Sequence, residues 1–134
     1  MTMTFEEGLA VATLWQEARG EDAEARACVA HVIRNRMARH YASDGTVDGT
    51  VLHPWQFSGW MTDAINLDSL RYAETDSLGL LAIWRETANE PDPTMGAVLY
   101  YSPAAMVPPG SVPDWVASSS LTLELPHFLF YAAP

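Results

Sequence analysis

Lysine is absent from this 134-residue chain, and cysteine occurs once. A lone cysteine excludes an internal disulfide. Cys28 falls on the apolar side of a predicted helix, which reads as a buried, inert thiol rather than a nucleophile. The seven basic residues are all arginine and face 17 acidic ones, for a net charge of −10. Binders of nucleic acid present a basic face, so that class is excluded, as is capture by an anionic membrane. No apolar run is long enough to span a bilayer, and Met1 to Glu7 contain no basic segment followed by an apolar one. The expectation is a protein made in the cytoplasm without a signal peptide and without membrane insertion. It would reach an external target only by release or carriage.

Signatures of several chemistries are missing too. His31, His40, His53 and His127 show no paired metal-ligand spacing, and there is no H-E-x-x-H motif. Neither a G-x-S-x-G elbow nor a phosphate- or dinucleotide-binding glycine loop is present. No metal and no cofactor are expected.

What the chain does have is a hydrophobic fraction of 49% against 18% charged, enough for a sizeable core. No internal repeat or linker divides it, so residues 1–134 read as a single domain. The oligomeric state is left open.

Thr4 and Glu7 form a T-x-x-E capping box that starts a first helix. Phe5, Leu9, Ala12 and Trp15/Gln16 follow at helical spacing, and Gly20 is the predicted stop. Asp22 caps a second helix, with Ala25, Cys28, Val29, Val32, Ile33 and Met37 on its apolar face. Glu24, Arg34 and Arg39 point largely outward. Residues 40–70 read as irregular, with turn chemistry at Ser43-Asp44-Gly45 and Asp48-Gly49. Trp55, Phe57, Trp60 and Met61 in that stretch predict a loop docked on the body or lining a groove. A third helix is expected over residues 69–89, with a break near Gly79. Short strands are expected over 97–101 and over 121–125 or 128–131. The fold class is α+β, mainly helical, with a small β element toward the C-terminus.

Glu17 is the strongest candidate for chemistry. It sits in the last turn of the first helix, near Trp15, with Thr13 and Leu14 one turn back. Desolvation by Leu14 and the negative end of the helix dipole both raise a carboxyl pKa, as a general acid at neutral pH requires. A Thr13 hydroxyl bonded to the charged form would act in the opposite direction. Glu21, Glu24, Glu86 and Asp92 are candidates for a second carboxylate, and no spacing singles one out. For Glu21 and Glu24, stabilisation of the second helix's N-terminus is the better reading.

The order of motifs carries a resemblance. Glu17-Ala18-Arg19-Gly20-Glu21, Val32-Ile33-Arg34-Asn35-Arg36-Met37, Gln56-Phe57-Ser58, Asp92-Pro93-Thr94, Ala97-Val98-Leu99-Tyr100-Tyr101-Ser102-Pro103, and His127 with Phe130-Tyr131 together resemble the SleB-type (spore-cortex-lytic) cell wall hydrolase family. The resemblance spans nearly the whole chain. It implies a lysozyme-like fold and cleavage between N-acetylmuramic acid and N-acetylglucosamine in peptidoglycan glycan strands, by a lytic transglycosylase route. Glu17 occupies the place of the family's acid. Gln56 and Ser58 would then hydrogen-bond the sugars, and Phe57 would anchor their loop. Tyr100 or Tyr101 would stack on a ring or orient the acid; neighbours on a strand point oppositely, so one of the two faces the groove. Gln16, Glu21 and His127 are possible supporting residues, with His127 read as a packed, hydrogen-bonded histidine near the β element. Arg36 is read as a buried structural ion-pair or hydrogen-bond donor rather than a substrate ligand.

The chain departs from the family pattern in two places. Gln16 stands where glycine is usual before the motif glutamate, and would narrow the groove or supply a contact. The last strand reads Leu-Pro-His-Phe-Leu-Phe where Gly-x-His-x-Phe is usual. A phage or prophage lysin is the expected setting. The rival readings are a glycan-binding or particle-associated module without turnover, and a two-carboxylate muramidase giving reducing ends with Glu86 or Asp92 as partner.

Overall fold

The computed structural model describes residues 2–54, 56–60 and 67–134. Among these residues five α-helices come first: α1 (Phe5–Ala18), α2 (Ala23–Arg39), α3 (Val47–Val51), α4 (Leu67–Thr75) and α5 (Leu80–Glu86). Three short strands follow, β1 (Leu99–Tyr101), β2 (Ser120–Glu124) and β3 (Leu129–Ala132). They form one antiparallel sheet in the order β1-β3-β2. Leu99 pairs with Tyr131 and Tyr101 with Leu129, and a bulge interrupts β2 between Leu121 and Leu123. Both alternatives for the later strand therefore form, as partners of one another. No described helix is long and apolar enough to cross a membrane.

The Thr4–Glu7 capping box forms in both directions, at 3.0 and 3.1 Å. The helix behind it is not amphipathic as expected. Phe5 is 77% exposed, whereas every residue from Leu9 to Leu14 is buried. A helix buried on all sides is surrounded, and α1 indeed packs against α2, α3, α4 and α5. It is the axis of the molecule. Its C-terminus also differs from expectation, because Gly20 does not adopt a left-handed cap. The last carbonyls are satisfied from α2 instead: Arg26 donates to Ala18 O at 3.2 Å and to Arg19 O at 2.8 Å.

Asp22 caps α2 through the Ala25 amide at 2.9 Å, and His40, in the left-handed region at φ 53°, ends it. Arg34 is not outward. It lies over the Trp84 ring at 3.8 Å and donates to Thr87 Oγ1 at 3.1 Å, tying α2 to α5. The stretch read as irregular contains α3, and Asp48-Gly49 lies inside it. Thr46 caps α3 through the Gly49 amide at 3.0 Å. A side chain at Gly49 would meet the Asp44 carboxylate at 2.0 Å, so the glycine serves close approach rather than a turn. Phe57 is 1% exposed and Trp60 packs on the main core, while Trp55 and Met61 lie outside the described residues.

The break near Gly79 splits the predicted third helix into α4 and α5. Asp76, at φ 48°, makes the break. Its carboxylate accepts the Leu80 amide at 2.7 Å, the Leu81 amide at 3.0 Å and the Tyr72 hydroxyl at 2.7 Å. Free donors at the start of α5 are satisfied by a side chain reached through the turn.

The main core lies between α1 and the helices around it, and extends to the sheet face that carries Phe130 and Tyr100. A second, smaller cluster backs the other face, where Tyr131, Tyr101 and Trp115 pack together. Period-two alternation along β1 thus sends Tyr100 and Tyr101 to different cores.

Candidate active site

Glu17 projects from the final turn of α1 toward β1, where the Tyr100 hydroxyl donates to its Oε1. The phenol is held on three sides. Its ring stacks with Phe130 at 5.7 Å, meets Phe128 edge-on at 5.5 Å, and is fixed along the strand by the Tyr100–Phe130 pairing. Burial raises the Glu17 pKa above the usual carboxylate range, while the Tyr100 hydrogen bond and the positive charge of Arg36 pull it back in part. Among the described residues, no neighbouring carboxylate contributes to that shift. Tyr100 is itself pushed well above the normal phenol range, first by burial and then by the Glu17 charge, and so remains a donor.

Thr13 does not oppose the shift. Its hydroxyl donates to Leu9 O at 2.7 Å and accepts the Trp60 indole N–H at 3.0 Å, leaving nothing for Glu17. Leu14 is fully buried behind it. Gln16 turns to α4, donating from Nε2 to Ser69 Oγ at 2.8 Å, so its bulk is spent on packing rather than on the Glu17 side.

Gln56, Phe57 and Ser58 divide their tasks. Phe57 is the buried anchor and Ser58 is exposed. Gln56 is half-buried, and its Oε1 accepts from Arg36 Nη1 at 3.1 Å. Its Nε2 donates to no described residue. Tyr101 stands apart from Glu17, stacked with Tyr131 at 6.2 Å and edge-on to Trp115 at 5.8 Å. The two tyrosines are thereby resolved, and Tyr100 is the one that meets Glu17.

Glu21 reaches across to His127, whose Nδ1 lies 2.8 and 2.9 Å from the two carboxylate oxygens. The His127 side chain is 67% exposed and that of Glu21 only 15%. His127 is therefore hydrogen-bonded as expected but not packed. With Gly20, Asp22, Leu125 and Pro126 the pair lines a groove of about 240 Å³ between the α1–α2 turn and the β2–β3 turn.

The candidates for a second carboxylate fare differently. Asp92 is fully engaged, accepting from Asn35 Nδ2 at 2.8 Å, the Gly96 amide at 2.8 Å, and the Thr94 amide and hydroxyl at 2.8 and 2.6 Å. These donors hold its pKa down despite partial burial. It fastens the chain before β1 to α2 through Asn35, whose amide also reaches Ala97 O at 2.9 Å. Glu86 is exposed on α5. Cys28 is fully buried and pushed up to about 12, first by burial and then by surrounding carboxylates, so it is inert. Sequence reasoning undervalued Arg36, which is 4% exposed and donates from Nε to Val98 O at 2.7 Å. An arginine centred on a helix's apolar face was the available signal.

Comparison with known proteins bears on the family and the fold. The family described as Cell Wall Hydrolase matches residues 20–131. The catalytic domain of the germination-specific lytic transglycosylase SleB from Bacillus anthracis superposes with a TM-score of 0.71 at 21% identity, covering 97% of each chain. The catalytic domain of the Bacillus cereus SleB protein gives a TM-score of 0.64 at 20% identity, covering 98% of this chain and 93% of that one. Likeness at this identity establishes the shared fold. No curated protein sequence matches.

Proposed function

The chain belongs to the cell wall hydrolase family, and from that premise we propose that it cleaves peptidoglycan glycan strands between N-acetylmuramic acid and N-acetylglucosamine, as a lytic transglycosylase with Glu17 as its single acid and base. The observation that carries this reading is the pairing of a desolvated Glu17 with the Tyr100 hydroxyl, without another carboxylate in contact among the described residues.

The pairing supports one position for the catalytic proton. Oε1 accepts from Tyr100, so in the protonated acid the proton resides on Oε2. Oε2 would protonate the glycosidic oxygen as the bond to C1 breaks. The resulting carboxylate, stabilised by Tyr100 and by the Arg36 charge, then takes the proton of the muramic 6-hydroxyl as that oxygen bonds C1. The product is a 1,6-anhydro end and no water is consumed. Because the nucleophile already belongs to the substrate, its effective concentration replaces the second carboxylate that a hydrolase uses. Gln56 Nε2, which donates to no described residue, and the exposed Ser58 would donate hydrogen bonds to sugar substituents, and the groove beside Glu21 and His127 would continue the binding surface.

Mass spectrometry of purified peptidoglycan treated with the wild type and with Glu17→Gln tests the reading. Anhydromuramic ends from the wild type alone are expected. Reducing ends would instead require a second carboxylate, and fragments from both proteins would remove Glu17 from the chemistry. A folded wild type that releases nothing would favour a glycan-binding module.

A further inference from the structure

A buried guanidinium ordinarily meets a carboxylate, because its charge is costly to take out of water. Arg36 does not. Among the described residues it has no carboxylate within ion-pair distance. Its hydrogen bonds go to two neutral oxygens, Val98 O at 2.7 Å and Gln56 Oε1 at 3.1 Å. The Phe57 and Tyr41 rings lie 5.0 and 5.9 Å from its central carbon. Among the described residues, the one carboxylate that acts on its charge is Glu17.

The two acceptors belong to different parts of the fold. Val98 stands two residues before Tyr100, on the backbone leading into β1, and Gln56 opens the loop that carries Phe57 and Ser58. Resting on the reading of Glu17 as the acid, the geometry points to Arg36 as the positioning residue of this site. From α2 its planar fork holds both the Tyr100 strand and the Gln56–Ser58 loop in fixed relation to Glu17. Among the described residues, Tyr100 from β1 and Arg36 from α2 are the ionisable groups that act on Glu17. When Glu17 has released its proton, the Arg36 charge favours the carboxylate that must next act as base. Lysine would keep that charge but cannot present two N–H groups in one rigid plane.

The test is a ¹³C NMR titration of the Glu17 carboxyl in wild type, Arg36→Lys and Arg36→Met, alongside cleavage of soluble glycan-strand fragments across pH. Arg36→Met is expected to raise the Glu17 midpoint by roughly one unit or more, as loss of a nearby opposite charge does. The alkaline limb of activity should move with it. Arg36→Lys is expected to keep the midpoint near wild type while KM rises several-fold. An Arg36→Met protein that is less stable but has an unmoved Glu17 midpoint overturns the proposal. If Arg36→Met does not fold, Arg36→Lys decides, and wild-type values of both midpoint and KM overturn it. The acid reading fails separately: cleavage retained in Glu17→Gln would sink it while leaving the titration shift intact.

Discussion

The Tyr100 hydroxyl donates to Glu17 Oε1 across 83 positions of chain, joining the last turn of the central helix to the first strand of the sheet. Neither residue is suited to its task alone. Burial holds a proton on Glu17 and makes its carboxylate form costly to reach. The phenol, held protonated by its own burial, offsets the second effect without removing the first.

Tyr100→Phe keeps the ring between Phe128 and Phe130 and deletes the donor. A hydrogen bond to a charged group contributes about 1.5–3 kcal/mol, so kcat should fall by roughly tenfold to hundredfold. Because the lost bond lowered the Glu17 pKa, the alkaline limb of the pH profile should move upward. Tyr101→Phe, on the other face of the sheet, should leave kcat and the profile as they are. Equal effects from the two variants would contradict the orientation of β1.

Glu17 also makes a prediction about stability. Its folded pKa lies above the ordinary value of 4.5, so the native state holds a proton that the unfolded chain has released. Wild-type stability should therefore fall as pH rises from about 4.5 through the folded pKa. Glu17→Gln lacks this slope and retains an amide oxygen for Tyr100. Its melting temperature should equal that of the wild type at low pH and match or exceed it at neutral pH. Melting curves at several pH values would show a large loss at neutral pH if Glu17 were structural instead.

These residues also show what the sequence made legible. The Thr4–Glu7 box, the Asp22 cap and the position of Glu17 are local patterns, and local patterns survive folding because their partners lie within one turn. The burial of α1 on all sides was not legible, since Phe5 continues its apolar spacing and yet points to solvent. The assignment of Tyr100 rather than Tyr101 depended on strand phase, which the hydrophobic pattern of two adjacent tyrosines cannot fix. Asp48-Gly49 misled because turn-type residues also serve a short capped helix, where a side chain at residue 49 would have to displace the Asp44 carboxylate. Arg36 was visible as an anomaly; its two acceptors lie 20 and 62 positions away and were not.

Asp76 should be a stability residue without a catalytic effect. It receives two α5 amides and the Tyr72 hydroxyl, all of which Asp76→Ala would leave without their acceptor. Loss of a helix cap costs about 1 kcal/mol and unsatisfied buried donors add to it, so a total of roughly 2–3 kcal/mol is expected. Asp76→Asn keeps one acceptor oxygen and tolerates the left-handed backbone, and should cost less than half as much. Urea denaturation would measure both, and an unchanged midpoint for Asp76→Ala would contradict the capping role.

His127 should behave in the opposite way. Its pair with Glu21 joins the β2–β3 turn to the α1–α2 turn, but the imidazole is mostly in water. Exposed ion pairs contribute little, so His127→Ala should alter stability by no more than about 0.5 kcal/mol. The same change removes one wall of the groove that also contains Gly20, Asp22 and Leu125. If the glycan strand runs along that groove beyond Glu17, KM should rise several-fold while kcat holds, because the lost contact is made equally in ground and transition states. Steady-state kinetics on soluble strands of increasing length would locate the effect. The penalty should appear only once a strand is long enough to reach past the cleaved bond to His127. A KM indifferent to both the substitution and strand length would place the substrate elsewhere on the surface.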